Sequence, residues 1–192
     1  SNSAVVVPPG HPDINGNTAG GGMQPEVQEA IEKAKSSPGD FDAQLKVAQM
    51  YYQVGRFDQA IEYLKRANQI KPDDYETIVN LGNAYYDSDK FEDAEKLYTQ
   101  ALAKKPNDVS VRTDMGLTFL FRLDYDRAIK EFTRSLELDP SHVQTLQNIT
   151  VAYTKKGDAA KAKATLAKLE QVDAQNPALP KLREDLQKLE GK

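Results

Sequence analysis

The stretch YETIVNLGNAYYDSDKFEDAEKLYTQALAKKPND, residues 75–108, falls into two halves of helical spacing on either side of DSDK. Leu81, Gly82 and Tyr85 recur at helical intervals in the first half, and Ala94 and Tyr98 in the second, so the stretch reads as two antiparallel helices of about 13 residues each. It ends at Pro106, which denies a helix its amide donor and disfavours helix in the residue before it.

The same design lies on either side. FDAQLKVAQMYYQVGRFDQAIEYLKRANQIKPDD (41–74) precedes it, and VSVRTDMGLTFLFRLDYDRAIKEFTRSLELDPSH (109–142) and VQTLQNITVAYTKKGDAAKAKATLAKLEQVDAQN (143–176) follow. Pro38, Pro72, Pro106 and Pro140 stand 34 residues apart. Aligned row under row, the seventh and eighth columns read Val47-Ala48, Leu81-Gly82, Met115-Gly116 and Ile149-Thr150. The eleventh is aromatic (Tyr51, Tyr85, Phe119, Tyr153), the twentieth is alanine (Ala60, Ala94, Ala128, Ala162) and the twenty-fourth is large (Leu64, Tyr98, Phe132, Leu166). Small residues at columns eight and twenty mark where two helix backbones approach closely, and the aromatic at eleven fills the space beside them. Asp73 with Glu76, and Ser141 with Gln144, have the spacing of capping boxes at the head of a first helix.

The ends of the array differ from its middle. Val27, Ala30, Ile31 and Ala34 define an amphipathic helix over 25–36, opened by Pro25 and in the register of a second helix only,. Residues 1–24 carry proline and a Gly20–Gly22 run and read as a tail or linker,. The fourth row has Thr150 at the small column, Leu169 for a small residue and Ala174 at the proline column, as a terminal repeat would. Leu182, Leu186 and Leu189 then predict a helix within 177–190 that covers the apolar end of the stack,.

Catalytic chemistry finds little to work with. The 192 residues include no cysteine, which removes thiol nucleophiles, disulfides and cysteine zinc sites,. His11 and His142 have no ligand or nucleophile at motif spacing; His142 reads as an ordinary surface residue and His11 as part of an extended tail,. The carboxylates sit beside Lys and Arg on exposed helix faces or near helix starts, and Gly20–Gly22 is no phosphate loop,. No enzyme activity, cofactor or metal is expected. A net charge of -4 without a basic run argues against nucleic acid, and no apolar stretch approaches the roughly 20 residues that span a bilayer,.

These columns resemble the tetratricopeptide repeat over residues 25–190. The resemblance implies an all-α, right-handed superhelical stack of antiparallel helix pairs, with repeats at 41–74, 75–108, 109–142 and 143–176 between an N-terminal half-repeat helix and a C-terminal capping helix. It implies no catalysis, but a concave groove of first helices that binds a peptide or helix of another protein. Carried onto this chain, the groove columns are Leu45, Gln49 and Tyr52; Val79, Asn80, Asn83 and Tyr86; Thr113, Leu117, Leu120 and Phe121; and Val151. The alternative is that these side chains only pack on neighbouring first helices. The basic residues with which some family members grip a C-terminal carboxylate are absent: Leu45, Val79, Ser110 and Asp114 stand there. Two other functions stay in view: self-association, with the tail in its own or a neighbour's groove, and RNA binding, which the acidic balance disfavours. A Pro/Gly-rich leader before such an array is similar to soluble domains of bacterial envelope proteins, including those assisting assembly of c-type cytochromes. That similarity favours a periplasmic or membrane-anchored location over a cytoplasmic one, and the opening Ser-Asn-Ser, read as a tag remnant, leaves a preceding signal or anchor open.

Overall fold

Helices begin at Phe41, Tyr75, Val109 and Val143, the head of each 34-residue row. The computed structural model describes residues 25–191; the proposed tail, 1–24, lies outside the described residues. Among the described residues every regular element is helical, and they divide into two compact units, 25–104 and 105–191. The N-terminal unit holds α1 (Pro25–Ser36), α2 (Phe41–Gln53), α3 (Phe57–Ile70), α4 (Tyr75–Asp87) and α5 (Phe91–Lys104). The C-terminal unit holds α6 (Val109–Phe121), α7 (Tyr125–Leu138), α8 (Val143–Lys156), α9 (Ala159–Val172) and α10 (Leu179–Glu190).

In the N-terminal unit α2 pairs with α3 and α4 with α5, while α3 packs on α4 and α1 on α2. In the C-terminal unit α6 pairs with α7 and α8 with α9, α7 packs on α8, and α10 covers both α8 and α9. Leu179, Leu182 and Leu186 of α10 join Leu146, Ala162, Leu166 and Leu169 in one apolar cluster. This is the all-α helix-pair architecture expected from the columns, closed at its C-terminal end by a helix.

Local chemistry sets the helix starts one residue later than the capping-box spacing suggested. Asp74, not Asp73, caps α4: its Oδ2 accepts the Thr77 amide at 2.9 Å and the Thr77 hydroxyl at 2.7 Å. Asp40 and Asp108 cap α2 and α6 in the same way, accepting the amides of Ala43 and Val111. Each such cap satisfies a helix donor that would otherwise lack a partner and contributes about 1 kcal/mol. Asp73 instead accepts from Lys104 Nζ at 2.6 Å, and Ser141 donates to Asp139 rather than capping α8.

The proline is not needed to end the second helix. α3, α5 and α7 stop two residues before Pro72, Pro106 and Pro140, yet α9 stops at the same column with Ala174 in the proline's place. There Asn176 makes the turn, donating to Asp173 Oδ2 at 2.9 Å and accepting the Ala178 amide at 3.0 Å.

The eighth and twenty-fourth columns meet across each helix pair. A Cβ added to Gly82 would lie 2.8 Å from Tyr98 Cε1, and one added to Gly116 would lie 2.5 Å from Phe132 Cε1. Both rings are 0% exposed and have no room to retreat. Where the large residue is leucine, at Leu64 and Leu166, the facing column carries Ala48 or Thr150. Ring and glycine are therefore one choice made at two positions.

The turn inside each row imposes a second constraint. Gly55, Asp89, Leu123 and Gly157 occupy its fifteenth column, all left-handed, at φ 72°, 59°, 62° and 89°. A leucine there is sterically disfavoured, and Leu123 is also 70% exposed.

Gly116→Ala is expected to destabilise by roughly 1–3 kcal/mol from overpacking, despite a helix-propensity gain of about 1 kcal/mol. Combined with Phe132→Leu it should cost less than the sum of the two single changes, by at least about 1 kcal/mol in a urea-denaturation double-mutant cycle; additivity would contradict the steric pairing. Leu123→Gly should raise stability by up to about 1 kcal/mol in the same assay.

Candidate functional site

The surface open to a partner in the N-terminal unit is set by how α2 and α4 lie beside each other. Tyr52, in the last turn of α2, donates its hydroxyl to Asp87 Oδ2 in the last turn of α4. Going back from those ends, Asp42, Lys46, Gln49 and Gln53 form one exposed stripe along α2, and exposed Glu76 and Asn80 with half-buried Asn83 and Asp87 form one along α4, the i, i+4, i+7, i+11 spacing of a single helix face. Half-buried Leu45, Tyr52 and Val79 lie beside the stripes. Tyr52 meets Phe57 edge-on at 5.4 Å, which leaves its hydroxyl for Asp87.

The predicted groove residues separate by burial. Gln49 and Asn80 are exposed, and Leu45, Tyr52, Val79 and Asn83 are half-buried. Asn83 Oδ1 accepts from the Tyr98 hydroxyl at 2.8 Å, which turns its amide nitrogen into the group available to donate. Tyr86 is only 8% exposed and packs edge-on against Phe91. In the C-terminal unit Thr113, Leu117 and Leu120, expected among the groove residues, are buried at 0%, 1% and 8% exposure. They take the part of packing side chains, the alternative weighed from sequence, while Phe121 and Val151 are half-buried. The α2 and α4 surface therefore carries most of the predicted side chains that remain accessible.

Two polar residues in a column that the sequence analysis did not single out tie neighbouring elements together. Gln44 and Arg112 hold the fourth column, where the other rows have Ile78 and Leu146. Gln44 is fully buried and donates to Ala34 O at 2.8 Å, tying the end of α1 to α2. Arg112 donates to Glu131 at 2.7 Å and to Pro106 O at 2.9 Å. A polar residue in an otherwise apolar column, close to a row-end carbonyl, was the available signal.

His142 is not a plain surface residue. It stands half-buried as the N-cap position of α8, with Nδ1 2.6 Å from Thr145 Oγ1, which lies 2.7 Å from Thr113 Oγ1. Thr113 Oγ1 also lies 2.8 Å from Val109 O and 3.3 Å from Ser135 Oγ, so the imidazole joins a chain of buried hydroxyls that ends on a backbone carbonyl. Burial holds the His142 pKa below its ordinary 6.5, partly offset by Asp139.

Helix pairs of fixed length, with close-packed interiors and polar first-helix stripes on the surface, define a helical-repeat scaffold. The chain belongs to the tetratricopeptide repeat family: one model of that description matches residues 51–113 and 124–186, and another matches 24–75. As a member it is a protein–protein interaction scaffold in general terms. No curated protein matches it. Among solved structures it is similar in fold to MamA, at 22% identity over 78% of this chain and 87% of that one, with a TM-score of 0.72. It is also similar to MamA 41-end from Desulfovibrio magneticus RS-1, at 14% identity over 79% and 85% of the two chains, with a TM-score of 0.73.

A depressed histidine pKa means the unfolded chain binds the proton first. The stability contributed by neutral His142 is present above about pH 6.5 and is lost as pH falls from there through the lower folded-state value,. NMR titration should place the His142 pKa below 6.5, and His142→Gln should lose less stability than the parent between pH 7.5 and 5; an unshifted pKa would contradict the buried arrangement.

Proposed function

We propose that this protein is a non-catalytic scaffold that docks part of another protein on the α2 and α4 face of its N-terminal unit. One observation carries the proposal: two polar stripes rich in amides, Gln49 and Gln53 on one helix and Asn80 and Asn83 on the next, flank the partly open apolar residues Leu45, Tyr52 and Val79. Primary amides both donate and accept, so they suit the backbone of an extended segment, while the apolar residues take its side chains.

Self-association through the tail gains less support. The slot beside α1 would need an apolar lining to hold such a segment, but the exposed residues of α1 are Pro25, Glu26, Gln28, Glu29, Glu32, Lys33, Lys35 and Ser36, and Ala30, Ile31 and Ala34 are buried.

Random peptides selected for binding to the protein are expected to lose about fivefold or more in affinity for Gln49→Ala/Asn80→Ala, the loss of about one net hydrogen bond. They should keep it for Gln171→Ala on α9. Unchanged binding to the first variant, with loss in the second, would overturn the assignment of the face.

A further inference from the structure

One amide on the α4 stripe has its orientation set from inside the protein. Tyr98 of α5 is fully buried, and its ring is pressed against bare Gly82 of α4, where an added Cβ would lie 2.8 Å from Cε1. A ring held in that way delivers its hydroxyl to a fixed point. That point is the next residue, Asn83, whose Oδ1 accepts the hydroxyl at 2.8 Å. An Asn side chain carries its acceptor oxygen and its donor nitrogen at opposite corners of one planar group. With the oxygen turned to the hydroxyl, Nδ2 is the atom left to meet a group arriving from outside.

The other rows do not combine these two residues. Their ninth column holds Gln49, Leu117 and Val151, and their twenty-fourth holds Leu64, Phe132 and Leu166, none of which has a hydroxyl. A buried hydroxyl calls for an acceptor, but packing does not call for the hydroxyl: Phe132 fills the same place against Gly116 without one. Hydroxyl and amide occur together only in the row of residues 75–108, where half-buried Asn83 stands on the stripe one helical turn from exposed Asn80.

We propose that Tyr98 is a positioning residue for partner recognition: from within the helix pair it sets Asn83 as a fixed hydrogen-bond donor, which takes a backbone carbonyl of the docked segment. This rests on the docking face proposed above. Gln49, Gln53 and Asn80 are exposed and can turn either end of their amides to a ligand,. Asn83 cannot, so the segment must place a carbonyl over it, and that requirement sets the segment's register.

The probes are fluorescein-labelled peptides selected from a random library on the parent protein and kept if they weaken on Gln49→Ala/Asn80→Ala. They are titrated by anisotropy into the full chain at about 0.5 M salt, where exposed charges are screened. Asn83→Ala should weaken them about fivefold, the loss of about one net hydrogen bond. Tyr98→Phe keeps the ring and frees the amide to turn its oxygen outward about half the time, so it should weaken them about twofold or more. In the Asn83→Ala background the same change should have no further effect, a coupling that a double-mutant cycle reads directly. Asn83→Asp keeps an acceptor for Tyr98 but shows an acceptor to the ligand, and should weaken binding at least as much as Asn83→Ala. Three results overturn the proposal: unchanged affinity in Asn83→Ala, an equal effect of Tyr98→Phe in both backgrounds, which would mark a purely structural bond, or parent-like or tighter binding to Asn83→Asp, which would mean that the ligand's group is a donor. The docking face survives any of these, since the probes still respond to Gln49→Ala/Asn80→Ala. If no selected peptide responds to that variant, the face and the role of Tyr98 fall together.

Discussion

The close approach of two helices at Gly82 and Tyr98, and again at Gly116 and Phe132, governs the rest of the molecule. A ring pressed onto a bare backbone fixes the separation and rotation of the two helices at once, because neither side of the contact can move without opening a void. Once rotation is fixed, every other side chain has its face assigned. The alanines of the twentieth column fall at 0% exposure in all four rows, and Gln49 and Gln53 of α2 and Glu76 and Asn80 of α4 are turned to the surface. Row by row the contact is rebuilt with different partners of matched size, so the repeat tolerates sequence change without a change of spacing.

Polar side chains complete what packing leaves undone. The row ends leave carbonyls without an intrahelical donor; Gln44 reaches back to Ala34 O at the end of α1, and Arg112 to Pro106 O in the turn before α6. The hydroxyl chain from His142 through Thr145 to Thr113 does comparable work inside the C-terminal unit, giving buried oxygens partners where α8 substitutes threonine for apolar residues. Surface ion pairs such as Lys90 with Asp58, and Lys104 with Asp73, join successive helix pairs of the N-terminal unit, but exposed pairs contribute little to stability. Orientation is carried by the interior.

Much of this was legible in the residues. The 34-residue period located the heads of α2, α4, α6 and α8, because packing that recurs in space forces recurrence in sequence. The cap at Asp74 was misplaced by one residue, since two adjacent aspartates meet the spacing equally well and only backbone geometry chooses between them. Proline at the row end looked like the cause of helix termination, yet α9 ends without it. For the surface, periodicity told which side of a first helix a residue takes but not how near the neighbouring element comes. Leu45 and Thr113 share a column, and one is half-buried while the other is sealed. Burial depends on contacts from outside the repeat unit, which no single row encodes.

A scaffold of this kind acts through the surface its packing leaves over, and the proposed surface is the pair of amide-bearing stripes on α2 and α4. The most direct measurement is the side-chain amide NMR spectrum of the labelled protein on adding a peptide selected for binding to it. The account predicts shifts at Gln49, Gln53, Asn80 and Asn83, with the buried amides of Gln147 and Asn148 in α8 unmoved. Shifts at Gln147 and Asn148, with the α2 and α4 amides silent, would contradict it.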